Sequence, residues 1–133
     1  MDTTALKVYH SRALQLANAM RLCRDDMAAY TSAVALLAVH SAISFNDTLL
    51  ILLTGKRPLT QDHGQATKLT KIACKKAGID PVGVSHLAKL LSAKTDVSYG
   101  NHAVDAEHAI LLFIAAERFQ AWAERNITEM RVG

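Results

Sequence analysis

AVALLAVHSAISFNDTLLILL, residues 33–53, decides how this chain is read. The stretch is close to the length a membrane-spanning helix needs. His40, Ser44, Asn46 and Asp47 interrupt it, and an Asn-Asp pair at mid-span is costly in lipid. It therefore predicts the buried central helix of a helical protein, and no membrane association is expected.

The rest of the composition agrees. The chain has 133 residues, enough for one domain with a single core. Half of the residues are apolar but only 5% are aromatic. Much of the apolar content is Ala and Leu, which form helices readily, whereas strand formers are scattered. The expected fold is all-α, an up-and-down antiparallel four- to five-helix bundle occupying residues 1–133 as one domain.

Five helices can be placed around the central one. The first spans 4–24, with Leu6, Ala13, Leu16, Ala17, Met20 and Cys23 at helical spacing. Asp25 or Asp26 can cap the second, which runs to about 54, where Gly55 suits a left-handed end and Pro58 bars continuation. A third starts near 60–62 and ends at Gly78, with Ala66, Leu69, Ile72, Ala73 and Ala77 as its inner stripe. Asp80-Pro81 opens a short fourth helix through Val84, Leu87, Leu90 and Leu91. KTDVSYGNH, 94–102, reads as a polar turn, and a fifth helix covers about 104–129. Its AILLFIAA run, 109–116, is apolar all round, so this helix is either central or shared with another subunit. Two long apolar helices in so small a domain predict a homodimer.

Net charge is +3, and its distribution says more than its sum. Residues 1–55 carry four positive and four negative groups, 56–76 carry six and one, and 77–133 carry five and seven. Lys56, Lys68, Lys71, Lys75 and Lys76 could cover phosphates and add salt-dependent affinity for nucleic acid. No aromatic lies within 55–76 to stack on bases, and an ordinary solvated face explains the same lysines. Cys23 and Cys74 are far apart in sequence, with no Cys-x-x-Cys, and two thiols in a cytosolic protein are expected. The polar N-terminus gives no expectation of a secretory leader.

Several side-chain groupings can carry chemistry. Arg57 and His63 together could act on a phosphodiester, as charge clamp and general acid/base. A solvated loop arginine and a helix-start histidine account for the same pair more simply. His40, Ser44 and Asp47, at i, i+4 and i+7, share one helical face. Three residues on one helix cannot converge as a hydrolase triad. They predict either a structural hydrogen-bonded stripe joined by Tyr99 or Lys94, or a polar pocket for a nucleotide or small ligand. His102, Asp105 and His108 could share a metal, but capping of the helix start by Asp105 explains them more simply. No metal and no cofactor is expected. Phosphate-binding glycine loops and paired Cys/His zinc spacings do not occur.

Four stretches together resemble a known family: YTSAVALLAVHSAISFNDTLLILLTG, DHGQATKL, LLSAKTDVSYG and DAEHAILLFIAAERFQAW. They resemble the HEPN domain, a small antiparallel helical bundle, over about residues 27–125. The resemblance implies dimers packed through long helices and a role in RNA or nucleotide biology. Some members are metal-independent ribonucleases, often toxins; others are non-catalytic, and some pair with a small nucleotidyltransferase. The ribonucleases carry an arginine, four to six residues, then a histidine near the start of a late helix. Arg57 and His63 have that gap but lie between the second and third helices, and at the later turn Lys94, Tyr99 and His102 stand without an arginine. The expectation is a non-catalytic, cytoplasmic HEPN-like dimer that binds a nucleotide, RNA or a partner protein. His40, Ser44, Asp47, Lys94, Tyr99 and His102 are then its ligand-site residues. The alternatives are an endoribonuclease using Arg57 and His63, and a pure interaction module.

Overall fold

A computed structural model describes residues 3–56 and 63–132, with only the backbone of His63 and Val132. Among these residues there are five α-helices, one 3-10 turn and no strand. The helices are α1 Thr3–Arg24, α2 Met27–Thr54, α3 His63–Ala77, α4 Val84–Tyr99 and α5 Ala106–Val132. The all-α bundle expected from composition is what forms.

The centre of the bundle is α2, which packs against each of the other four helices. Its length and hydropathy would suit a membrane span, yet most of its apolar stretch is buried inside the protein. Val34, Ala35, Ala38, Val39, Ala42, Phe45 and Leu49 meet Ala13, Ala17 and Met20 of α1 and Leu112, Ala116 and Phe119 of α5 in one core. Side chains as large as Phe45, Phe119, Met20 and Leu49 are almost wholly enclosed. Each contributes about 1.5–3 kcal/mol by leaving water.

Polar contacts fix how the helices run. Arg21 on α1 donates from Nε to Glu117 on α5 at 2.7 Å and from its terminal nitrogens to Asn18 and Gln120. Nearer the N-terminus, His10 pairs with Glu124 at 2.5 Å. Rising numbers on α1 thus meet falling numbers on α5, so the two helices are antiparallel. The Arg24 guanidinium lies 4.6 Å from the centre of the Phe113 ring and extends the same seam.

The helix ends follow their local chemistry with two exceptions. Gly55 takes φ 78° and its N–H bonds the Ile51 carbonyl at 2.8 Å, closing α2. Gly78 closes α3 with φ 73°. Asp80 accepts from the Val82 N–H at 3.1 Å and starts a 3-10 turn, Pro81–Gly83, before α4 begins. Asp105 accepts from the His108 N–H at 2.7 Å and starts α5, the capping role its spacing suggested. Asp26 stands at the start of α2, but its side chain makes no capping bond; its carbonyl accepts from Ala29 instead. The second exception is 94–102. It is not a turn over its first part, because α4 continues to Tyr99 and stops at Gly100. Nothing from Lys94 to Tyr99 breaks a helix, and Val97 packs on the core.

Two stripes also differ from the expected pattern. On α3 the inward residues are Ala73, Cys74 and Thr70, while Leu69 and Ile72 are 40% and 48% exposed and Ala77 faces water. On α5 only part of the AILLFIAA run is buried: Ala109, Leu112, Phe113, Ala115 and Ala116 face the core. Ile110, Leu111 and Ile114 are 45%, 54% and 38% exposed. This helix is peripheral, and α2 holds the centre.

Candidate functional site

The polar line of α2 comes near α4 at His40, beside Lys94. His40 is half-buried, and burial, followed by the nearby Lys94 ammonium, holds its imidazole below the usual range. One turn beyond Lys94, the Ser98 hydroxyl is buried with no hydrogen-bond partner among the described residues. Ser44 is buried farther along α2 and Asp47 is half-buried. Of the two partners expected for this line, Lys94 lies close enough to His40 to act on its charge. Tyr99 does not, being 84% exposed near the end of α4. His102 is exposed as well and pairs with Asp96 at 3.4 Å. Of the expected ligand-site residues, then, the structure brings His40 and Lys94 within electrostatic reach of each other and leaves Tyr99 and His102 on the surface.

The basic segment takes a different form. Lys68, Lys71, Lys75 and Lys76 are all exposed on α3, which carries no acidic residue, and Lys56 is exposed just after α2. Helical spacing puts Lys68, Lys71 and Lys75 on the outward stripe and Leu69, Ile72 and Lys76 on the flank beside it. That flank borders a groove of about 290 Å³ lined by Leu50, Thr54, Lys56, Leu69, Ile72, Ala73 and Lys76. The floor is aliphatic, and Lys56 and Lys76 supply positive charge beside it. On the opposite side α3 is anchored by the Thr70 hydroxyl, which donates to Asn46 Oδ1 on α2 at 2.7 Å.

The groove is hidden from a reading that assigns the largest aliphatic residues inward. Its signal lay in the small residues Ala66, Thr70, Ala73 and Cys74, whose shared face marks the close approach of α3 to the bundle. Cys23 and Cys74 are both free thiols, half-buried and buried respectively, and burial raises the Cys74 pKa.

The Arg57 and His63 pair lies outside the described side chains. Among the described residues, no three His, Cys, Asp or Glu side chains gather as a metal-binding group. His86 is kept below the usual imidazole range by burial, with Arg118 and Lys89 adding to the effect. No protein-family model matches the chain, and no curated protein matches it either.

Proposed function

We propose that this chain is a non-catalytic, HEPN-like binding protein whose docking face is α3, and that the groove between α2 and α3 takes an acidic amphipathic segment of a partner protein. The observation that carries this reading is the combination on α3. Four exposed lysines stand with no acid among them, and two exposed aliphatic residues face a groove. Acidic side chains of a docked helix would meet the lysines while its apolar positions fill the groove, the helix-in-groove mode of recognition. Exposed lysines alone would add affinity that salt screens away. Leu69 and Ile72 add a term that salt does not remove.

The non-catalytic part rests on the sequence at the later turn, where Lys94, Tyr99 and His102 stand without the arginine that the family's ribonucleases carry. A second reading has its own support: the spacing of Lys68, Lys71 and Lys75 along one stripe suits the phosphates of RNA. A nucleotidyltransferase of the kind implied by the family resemblance is the first partner protein to screen.

The test is fluorescence anisotropy with two labelled probes, a glutamate-rich amphipathic peptide and a mixed-sequence single-stranded RNA. The peptide should bind, and binding should fall in the Lys68→Gln/Lys71→Gln/Lys75→Gln/Lys76→Gln variant and in Leu69→Ser/Ile72→Ser. Binding of RNA alone, lost with the lysines and indifferent to Leu69 and Ile72, would replace the proposal with the second reading.

A further inference from the structure

A groove of about 430 Å³ runs between α4 and α5, lined in part by Lys89, Ala93 and Asp96 of α4 and by His108, Leu111 and Leu112 of α5. Its two ends differ in charge. The short connection from Tyr99 to Ala106 sets Asp96 and His108 at one end. At the other end the Trp122 ring lies against Gly83, just before α4 starts. Arg118 stands one turn before Trp122 and His86 one turn into α4, so both reach the end that Lys89 lines. Burial first, and then the charges of Arg118 and Lys89, hold the His86 imidazole below its usual range, in keeping with three cationic groups at one place.

We infer that this groove binds a medium-chain fatty acid, with its carboxylate at Lys89 and Arg118 and its alkyl chain laid over Leu111 and Leu112 toward His108. Charge selects the head and its direction. Lys89 and Arg118 are exposed and take part in no ion pair among the described residues. Glu117 and Glu124, the acids of α5 nearest Arg118 in sequence, are engaged by Arg21 and His10 of α1. A guanidinium and an ammonium on neighbouring helices are thus left for one carboxylate. A head at the opposite end would meet Asp96, like charge against like.

The floor selects the tail. Ala93, Leu111 and Leu112 are aliphatic, and no aromatic ring lines the groove, so a nucleobase has nothing to stack on. An alkyl chain gains by leaving water along the same floor. From 108 to 118 the helix rises about 15 Å at 1.5 Å per residue, an extent that an extended medium chain covers. The volume falls within the range of small-molecule sites. The site stands apart from α3 and does not depend on what binds there.

Isothermal titration calorimetry with decanoate, kept below its micelle concentration, tests it. Decanoate should bind saturably, one molecule per chain. Decanol, which has the chain without the charge, and butyrate, which has the charge without the chain, should each bind at least tenfold more weakly. Lys89→Gln/Arg118→Gln should weaken decanoate by about tenfold or more, as loss of hydrogen bonds to a charged group does. Leu111→Asp, which sets an acid beside the tail, should do the same. All three positions are exposed, so both variants should keep their helical circular dichroism. Bound carboxylate should also raise the His86 pKa, read from its ring proton by NMR with His86→Gln to assign the signal. No saturable binding, or binding unchanged in both variants, overturns the site. Decanol binding as tightly as decanoate leaves only a greasy surface, and butyrate doing so leaves only an anion site; either result overturns the proposal. An unmoved His86 titration overturns the placement of the head. Leu69→Ser/Ile72→Ser should bind decanoate normally, and loss there would move the ligand to α3 and overturn the α4–α5 groove.

Discussion

The Thr70 hydroxyl donates to Asn46 Oδ1 across the α2–α3 contact, and both side chains are buried. This is the polar tie that locates α3. Replacing Thr70 with Val keeps the shape and leaves the Asn46 oxygen without that donor. A buried acceptor that loses its donor costs about 1–3 kcal/mol. Urea unfolding should show that loss for Thr70→Val, and Thr70→Ser should recover most of it. An unchanged midpoint in Thr70→Val would mean that α3 is held by other contacts.

The single tryptophan reports on a second close contact. Trp122 donates its indole N–H to the Asp80 carbonyl at 3.0 Å, and its ring lies against Gly83. A β-carbon built at Gly83 overlaps the ring, so Gly83→Ala must displace Trp122. Overpacking of this kind costs about 1–3 kcal/mol. The variant should unfold at lower urea, and its tryptophan emission should shift to the red as the ring leaves its site. Full stability with unchanged emission would contradict the packing of the 3-10 turn on α5.

Stability should also depend on pH in one direction. His40 and His86 both have imidazoles held below the usual value of 6.5 in the folded chain, mainly by burial. The unfolded chain therefore binds protons more readily at these sites, and stability rises with pH through that window. Their contribution is complete above about 6.5 and declines as pH falls below it. The urea midpoint should drop between pH 7 and 5, and His40→Gln should flatten part of that slope. An equal slope in wild type and His40→Gln would place the pH dependence elsewhere.

A fourth expectation concerns catalysis. Purified protein incubated with labelled mixed-sequence RNA in EDTA should leave it intact, as should His63→Ala and His102→Ala. Cleavage abolished by His63→Ala would revive the ribonuclease reading and make Arg57 its clamp.

Fold class and helix order are legible in the sequence because burial of α2 leaves a long, nearly continuous apolar run. His40, Ser44, Asn46 and Asp47 weigh against a lipid span, and Gly55, Gly78 and Asp80-Pro81 mark ends where backbone chemistry leaves few choices. What could not be read was the orientation of the outer helices. Leu69 and Ile72 look like core residues on any hydropathy scale, yet α3 approaches α2 through Thr70 and Ala73. The AILLFIAA run gives no preference of its own because every face of it is apolar, and only its neighbours decide that Ile110, Leu111 and Ile114 face outward. The end of α4 was misplaced for a related reason: KTDVSY is polar, but polarity alone does not stop a helix. At the candidate site, the sequence offers Lys94 as a partner for the polar line of α2 but places it in a turn, whereas it stands within α4. Exposure of Tyr99 was not legible, because its position depends on where α4 stops.

The central place of α2 has a consequence for how the chain reaches this structure. Synthesis delivers α1 first, and its Ala13, Ala17 and Met20 can cover one flank of α2 at once. The other flank is closed by α5, which begins about fifty residues after α2 ends. During that interval the segment that passes for a membrane span by length and hydropathy is half-clothed. The interrupting His40, Ser44, Asn46 and Asp47 then matter in time as well as in space, since they raise the cost of lipid for this segment while its second flank is still bare.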